Sequence, residues 1–382
     1  MSVEIRRVES KGERKQFLDV PYRLYATEPL WVPPLRMERK DHIDPKKNPF
    51  FEHADVQFFL ALRDGRPIGR ISAHIDRNLN EFQDNQWGLF GFFECEDDPE
   101  AARALVDAAE AWLRERGRDR MVGPMDYTTN DECGVLIEGH DRPPLILCPW
   151  QYPYYQRLLE EACGLSKAMD LLMWELHIEG KENVHSAIWE MAAAVEPKYG
   201  IVVRPMRKRD LDNEVSKFLE VYNAAWENNW ASVPLTDDEV RHYAKQLKPV
   251  LDENWAMIAE RKDTGEVVGA ALTLPDFNQV LAHVKDGRLL PFGWLAALRN
   301  RKNIDRVRVF ALGVKPEYQH TGVAARMYEM HFEAAARTPQ SWGEMGWILE
   351  TNKAMNRAME GMGGKVVRRY RVYERELSAP SG

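Results

Sequence analysis

The same signposts occur twice in this chain, the second set about two hundred residues after the first. Phe17-Leu18 recurs as Phe218-Leu219, and Val32-Pro33 recurs as Val233-Pro234. The turn Asp64-Gly65-Arg66-Pro67-Ile68-Gly69 is answered by Thr264-Gly265-Glu266-Val267-Val268-Gly269, and Leu159-Glu160 with Gly164 by Met359-Glu360 with Gly363. The offsets stay between 199 and 201 residues. Solenoid repeats have periods of roughly 20–50 residues, so this period means two copies of one globular fold. A chain of 382 residues also exceeds what one hydrophobic core usually serves. The expected division is a first copy over 1–180, a helical connector over 181–199 and a second copy over 200–382.

Each copy reads as α/β. An alternating opening strand (Val3 to Arg6; Ile201 to Arg204) precedes a helix and then a hairpin around the glycine turn. The hairpins run Val56 to Leu62 with Ile68 to Ile75, and Trp255 to Ala259 with Val267 to Leu274. Another strand leads into an apolar-periodic helix, Glu100 to Arg116 or Gly322 to Arg337. A strand, a short helix and a last strand (Leu171 to His177; Val366 to Tyr373) close each copy. The expected architecture is a pair of mixed twisted sheets, each flanked by helices.

The net charge of −8 argues against a broad phosphate-binding surface and so against nucleic acid as a partner. Cys95, Cys133, Cys148 and Cys163 form no metal-binding spacing, and no metal site is expected. The start of the chain lacks a signal-peptide core, and no apolar run is long enough to span a bilayer. A cytoplasmic location is the expectation.

The chemistry concentrates after the strand Val307 to Leu312. There, Val314-Lys315-Pro316-Glu317-Tyr318-Gln319-His320-Thr321-Gly322-Val323-Ala324 leads into a helix. Unpaired N–H groups and the dipole at a helix start favour an anion, and Gly322 and Ala324 keep side chains out of its way. The segment resembles the GNAT acyltransferase superfamily, whose signature is Q/R-x-x-G-x-G/A after V-x-P. Val314, Pro316, Gln319, Gly322 and Ala324 match it. A second stretch, Asn352 to Gly363, resembles the family's N-x-x-A-x-x-x-Y-E-x-x-G helix.

The resemblance implies binding of acetyl-coenzyme A or a longer acyl-coenzyme A by Leu312, Gly313, Val314, Gln319, His320, Thr321, Gly322, Val323, Ala324, Asn352 and Asn356. It further implies transfer of the acyl group to an amine acceptor, with backbone N–H groups near Leu312 and Gly313 polarising the carbonyl. Met359 stands where the family places its general-acid tyrosine, leaving Tyr370 or Tyr373 as substitutes. Glu350 is the candidate base, or else a partner of Arg308.

The first copy has Glu94-Cys95-Glu96-Asp97-Asp98-Pro99-Glu100 at the phosphate loop, which would repel a pyrophosphate. Its polar and aromatic segments, Asp126 to Cys133 and Trp150 to Tyr155, suit either an acceptor pocket or a packed loop. The second copy's insertion, Pro275 to Asn303, is apolar with Arg288, Arg299, Arg301 and Lys302 at its rim. It could sheathe a fatty chain, touch a membrane peripherally, or seal a domain or homodimer interface. Whole-chain resemblance to tandem-GNAT bacterial proteins implies an N-acyltransferase acting on a small molecule or lipid. Long-chain, sphingoid-type amines are one alternative, a non-catalytic acyl-coenzyme A sensor a second, and a Fem-type aminoacyl transferase a third.

Overall fold

A computed structural model describes residues 2–178 and 184–377. The chain divides into two compact units. Unit 1 comprises Met1–Leu171, Leu281–Leu295 and Arg368–Gly382; unit 2 comprises Leu172–Val280 and Ala296–Val367. The expected helical connector is a helix from Ser186 to Tyr199, and Lys181, Glu182 and Asn183 lie outside the described residues.

In chain order the strands are β1 (Glu4–Arg7), β2 (Ala54–Arg63), β3 (Arg66–Asp76), β4 (Trp87–Cys95), β5 (Arg120–Gly123), β6 (Val135–Glu138) and β7 (Ser166–His177). They continue as β8 (Ile201–Pro205), β9 (Ala256–Arg261), β10 (Val267–Pro275), β11 (Arg306–Val314), β12 (Trp342–Leu349) and β13 (Lys365–Glu376). In unit 1 the order is β1-β2-β3-β4-β5-β13, with β6 also on β13. In unit 2 it is β12-β11-β10-β9-β8, and β7 lies beside β12. Neighbours in each run are antiparallel except β4–β5 and β11–β12, which are parallel.

The division expected at 180/200 therefore needs correction at both ends. β13 ends the second copy in sequence, yet from Arg368 it pairs with β5 and β6 of unit 1. β7 ends the first copy, yet from Leu172 it belongs to unit 2, where Met173 and Leu172 touch the bare face of Gly346. Each unit is finished by the other copy's last strand.

The matched glycines have a shared physical reason. A Cβ on Gly69 would lie 2.8 Å from Leu105 of the helix Pro99–Arg114. A Cβ on Gly269 would lie 3.0 Å from Val323 of the helix Val323–Ala335. Each glycine lets the long helix settle onto its sheet. The helix Pro99–Arg114 buries Ala101, Ala102, Leu105, Val106, Ala109, Trp112 and Leu113 there. In unit 2 the core gathers Val323, Met327 and Met330 with Val268, Ala271, Leu312, Met345 and Met359. No helix among the described residues is long and apolar enough to cross a membrane, and no group of them could hold a metal ion.

Candidate active site

The parallel pair β11–β12 is in register only from Arg306–Val309 against Trp342–Met345. Beyond that, β11 keeps its antiparallel partner β10 as far as Val314 opposite Gly269, while β12 offers no further pairing. The strands share one end and part at the other. Lys315 N–H donates to Val268 O across 2.9 Å. Strand alternation then sends Gly313 N–H the same way and aims Leu312 and Val314 N–H at the open side. Of the expected donor pair, Leu312 N–H faces the open side and Gly313 N–H faces β10.

The chain leaves β11 through a tight turn, Pro316–Thr321, and enters the helix Val323–Ala335. Gln319 Nε2 donates to Val314 O (3.4 Å) and Thr321 Oγ1 to Tyr318 O (2.6 Å), so both side chains shape the turn. Buried Lys315 is neutralised by Glu220 at 2.6 Å. His320 is exposed with its ring against Tyr199, and Val323 is core. Gly322 has φ +84, a left-handed conformation that favours glycine. Its bare face is filled, because a Cβ there would meet Met191 O at 2.8 Å. Gly322 thus serves the turn and the approach of the helix Ser186–Tyr199, which corrects the expectation that its bareness admits a phosphate. What remains for an anion is the helix start itself: no side chain caps it and its first turn holds no acid.

Unit 1 treats the equivalent helix start oppositely. Asp98 accepts from Glu100 N (3.1 Å) and Ala101 N (3.2 Å), occupying the donors a phosphate would use. Arg63 pairs with Asp98 and Glu100, Arg66 with Glu96, and Arg157 with Asp97. The acidic run is internally matched and its helix start closed. Glu94 is half-buried and accepts from the hydroxyls of Tyr25 (2.5 Å) and Tyr155 (2.6 Å). Burial pushes its carboxyl up to about 7, against the pull of Arg70 and the two hydroxyls. Asp126 accepts from Phe92 N and pairs with Arg39, while Tyr127 stacks on Phe50. Of the two readings of these segments, the packed loop is the one this geometry fits.

The remaining expected residues divide between the two units. Asn352 caps the helix Lys353–Gly361 by accepting from Met355 N (3.1 Å). Asn356 donates to Leu349 O (3.0 Å) and accepts from the Trp174 indole (2.9 Å), pinning that helix to the sheet. Met359 is fully buried in the unit 2 core, so it packs rather than lining a channel. Tyr370 and Tyr373 belong to unit 1, fully buried, and donate to Pro149 O (3.2 Å) and Glu160 (3.1 Å). Their hydroxyls are engaged in the unit that lacks the uncapped helix. Glu350 stands half-buried one residue past the end of β12.

Sequence reasoning missed a buried charged row on β11 and β12. Arg306 pairs with Asp276 at 2.6 Å, both buried. Arg308 is buried opposite Glu344, donates to Gly346 O (3.4 Å) and lies over the rings of Phe310 and Trp347. Glu344, not Glu350, is thus Arg308's cross-strand neighbour. The signal was Arg306 and Arg308 two apart in an apolar strand: they share a face, and buried guanidinium groups demand carboxylates.

No family model matches the chain. It is 39% identical over 378 residues to the bacterial ceramide synthase of Caulobacter vibrioides (strain NA1000 / CB15N), covering 97% of this chain and 96% of that one. It is 34% identical over 376 residues to the protein YghO of Escherichia coli (strain K12), covering 96% and 94%. Among solved structures, a tandem GNAT protein from the clavulanic acid biosynthesis pathway aligns over all of both chains with TM-score 0.57 at 13% identity. A GCN5-related N-acetyltransferase from Sphaerobacter thermophilus aligns over 98% and 96% with TM-score 0.51 at 14% identity. These two share the fold.

Proposed function

The chain belongs to the tandem GNAT-fold family that includes the bacterial ceramide synthase of Caulobacter vibrioides, and on that footing we propose that it is an acyl-coenzyme A-dependent N-acyltransferase whose acceptor is a long-chain amine. The observation that carries the reading is the uncapped helix start at Gly322, at the end of a strand that parts from its parallel neighbour. The coenzyme's pyrophosphate would take the first-turn N–H groups of Val323–Ala335. Its thioester would lie between the open ends of β11 and β12, with the carbonyl oxygen accepting from Leu312 or Val314 N–H. The amine nitrogen attacks the thioester carbon, the C–N bond forms, the C–S bond breaks, and the proton lost by nitrogen is passed on to the leaving thiolate. Glu350 is the base we assign to the amine's surplus proton. The name of the Caulobacter relative supports the choice of acceptor, since a ceramide is an N-acylated long-chain amino alcohol.

The test is to incubate purified protein with acetyl-, octanoyl- or palmitoyl-coenzyme A and a long-chain amino alcohol, following thiol release and amide mass. Amide formation at one coenzyme site per chain is expected. Glu350→Gln should cut kcat about a hundredfold while coenzyme affinity holds. Coenzyme binding without turnover of any amine would overturn the enzyme reading and leave an acyl-coenzyme A sensor. Unchanged kcat in Glu350→Gln would make that carboxylate structural.

A further inference from the structure

The insertion after β10 has two characters. Val280, Leu281 and Val284 are buried, whereas Leu290 is 76% exposed, Phe292 73%, Trp294 47% and Leu298 63%. Four of the eight exposed large hydrophobic side chains among the described residues therefore fall within nine positions. Single exposed apolar residues need no explanation, but a cluster with this composition does.

The cluster is held stiffly. Trp294 N–H donates to Leu289 O (2.8 Å), Leu295 N–H to Phe292 O (3.0 Å) and the Trp294 indole to Pro291 O (3.0 Å). The loop's base is fixed within unit 1: Arg36 donates its backbone N–H to Gly287 O (2.9 Å) and its Nε to Asp286 O (2.8 Å). That arginine also lies over the Tyr22 ring at 3.7 Å and pairs with Asp19. Exposed Met37 follows it directly. Trp294 and Leu298 stand four apart on the helix Gly293–Asn300, hence on one face. Leu290 and Phe292 are presented without a folding step, so little ordering entropy opposes their burial in a partner.

Charge selects that partner. Between positions 285 and 302 the chain carries Lys285, Arg288, Arg299, Arg301 and Lys302 against Asp286 alone, in a protein of net charge −8. A second copy docked patch to patch would bring two such cationic segments together. An anionic bilayer attracts the segment, and its interface is where Trp and Phe side chains settle. We propose that this loop and helix form a membrane-docking wedge. Leu290, Phe292, Trp294 and Leu298 enter the headgroup–acyl boundary of an anionic bilayer, and the basic side chains engage lipid phosphates. The inference stands on exposure and charge and does not require the acyltransferase reading.

The full chain, without acyl-coenzyme A, is sedimented with vesicles of phosphatidylcholine alone or mixed with phosphatidylglycerol. Binding to the anionic vesicles should exceed binding to the neutral ones by about tenfold or more. Leu290→Ser with Phe292→Ser should lose about tenfold or more on anionic vesicles with circular dichroism unchanged. Arg299→Glu with Arg301→Glu and Lys302→Glu should abolish the anionic preference. Vesicles with brominated acyl chains should quench wild-type fluorescence, and Trp294→Phe should remove that quenching, a readout independent of whether the serine variant folds. Equal binding to both vesicle types, no binding to either, quenching unaltered by Trp294→Phe, or a dimer dissociated by the serine changes would each overturn the wedge.

Discussion

Two helix starts, Pro99 in unit 1 and Val323 in unit 2, stand at matching places in the two copies and are capped in opposite ways. Both follow a strand whose parallel partner pairs with it only at the far end: β4 with β5 from Trp87 to Leu89, β11 with β12 from Arg306 to Val309. Both rest on a glycine, Gly69 or Gly269, of the preceding strand. The difference lies in a few side chains. Unit 1 inserts Asp98 as a cap and backs it with Arg63, whereas unit 2 has Gly322 and no side-chain cap. Register extends the contrast. Gly69 faces Cys95 as Gly269 faces Val314, so Glu94 occupies the place of Gly313. One copy sets a half-buried carboxyl between two tyrosines there, whereas in the other the Trp226 ring packs against the bare glycine. On the proposed function, what caps the helix is what separates the two copies in their capacity for an anion.

The severest test of the contrast is Gly322→Val. A β-branched side chain at φ +84 with Met191 O in its path should destabilise unit 2 by about 2–3 kcal/mol and abolish coenzyme binding. Calorimetry showing wild-type affinity would mean the coenzyme binds elsewhere.

Next in size is Glu94→Gln. The carboxyl is held up at about 7 by burial, against an ordinary value of 4.5, so the folded state binds the proton more tightly than the unfolded chain. That stabilisation is complete below the unfolded value and is lost as pH rises from 4.5 to 7. The glutamine variant should therefore be less sensitive to pH across this window. Above it, the variant should gain up to about 3 kcal/mol over wild type in denaturant titrations. Parallel wild-type and variant curves would show that Glu94 titrates normally.

The finest test trades the caps. Ala324→Glu places a carboxylate in the open first turn and should weaken coenzyme binding about tenfold while leaving stability nearly unchanged. Asp98→Ala should cost unit 1 about 1 kcal/mol and gain no coenzyme affinity, because Glu96, Asp97 and Glu100 remain. Coenzyme binding by unit 1 of that variant would show that the cap alone separates the two copies.

Much of this was legible in the residues. The offset of about two hundred revealed the duplication. The apolar period marked the helices at Pro99 and Val323, and the Gln319 to Ala324 pattern singled out the helix start that no side chain caps. What escaped depends on distant neighbours. Nothing local to Gly322 says that Met191 fills its bare side, or that Met359 is core. Tyr370 and Tyr373 look like candidates for protonation on the motif's own side until their strand is seen to pair with β5 and β6. Pattern specifies that β13 is a strand; it does not specify which sheet that strand completes.

That pairing bears on how the protein is born. A ribosome delivers β1 to β5 long before β13, so the edge at Arg120–Gly123 waits for Tyr373–Glu376. Until that segment has been made, unit 1 has an open hydrogen-bonding edge that its earlier segments do not close. Domain-by-domain completion from the N-terminus, the usual order for large chains, is therefore closed to it. A stop codon before Tyr373 would leave most of both units translated and the first of them unsealed at β5.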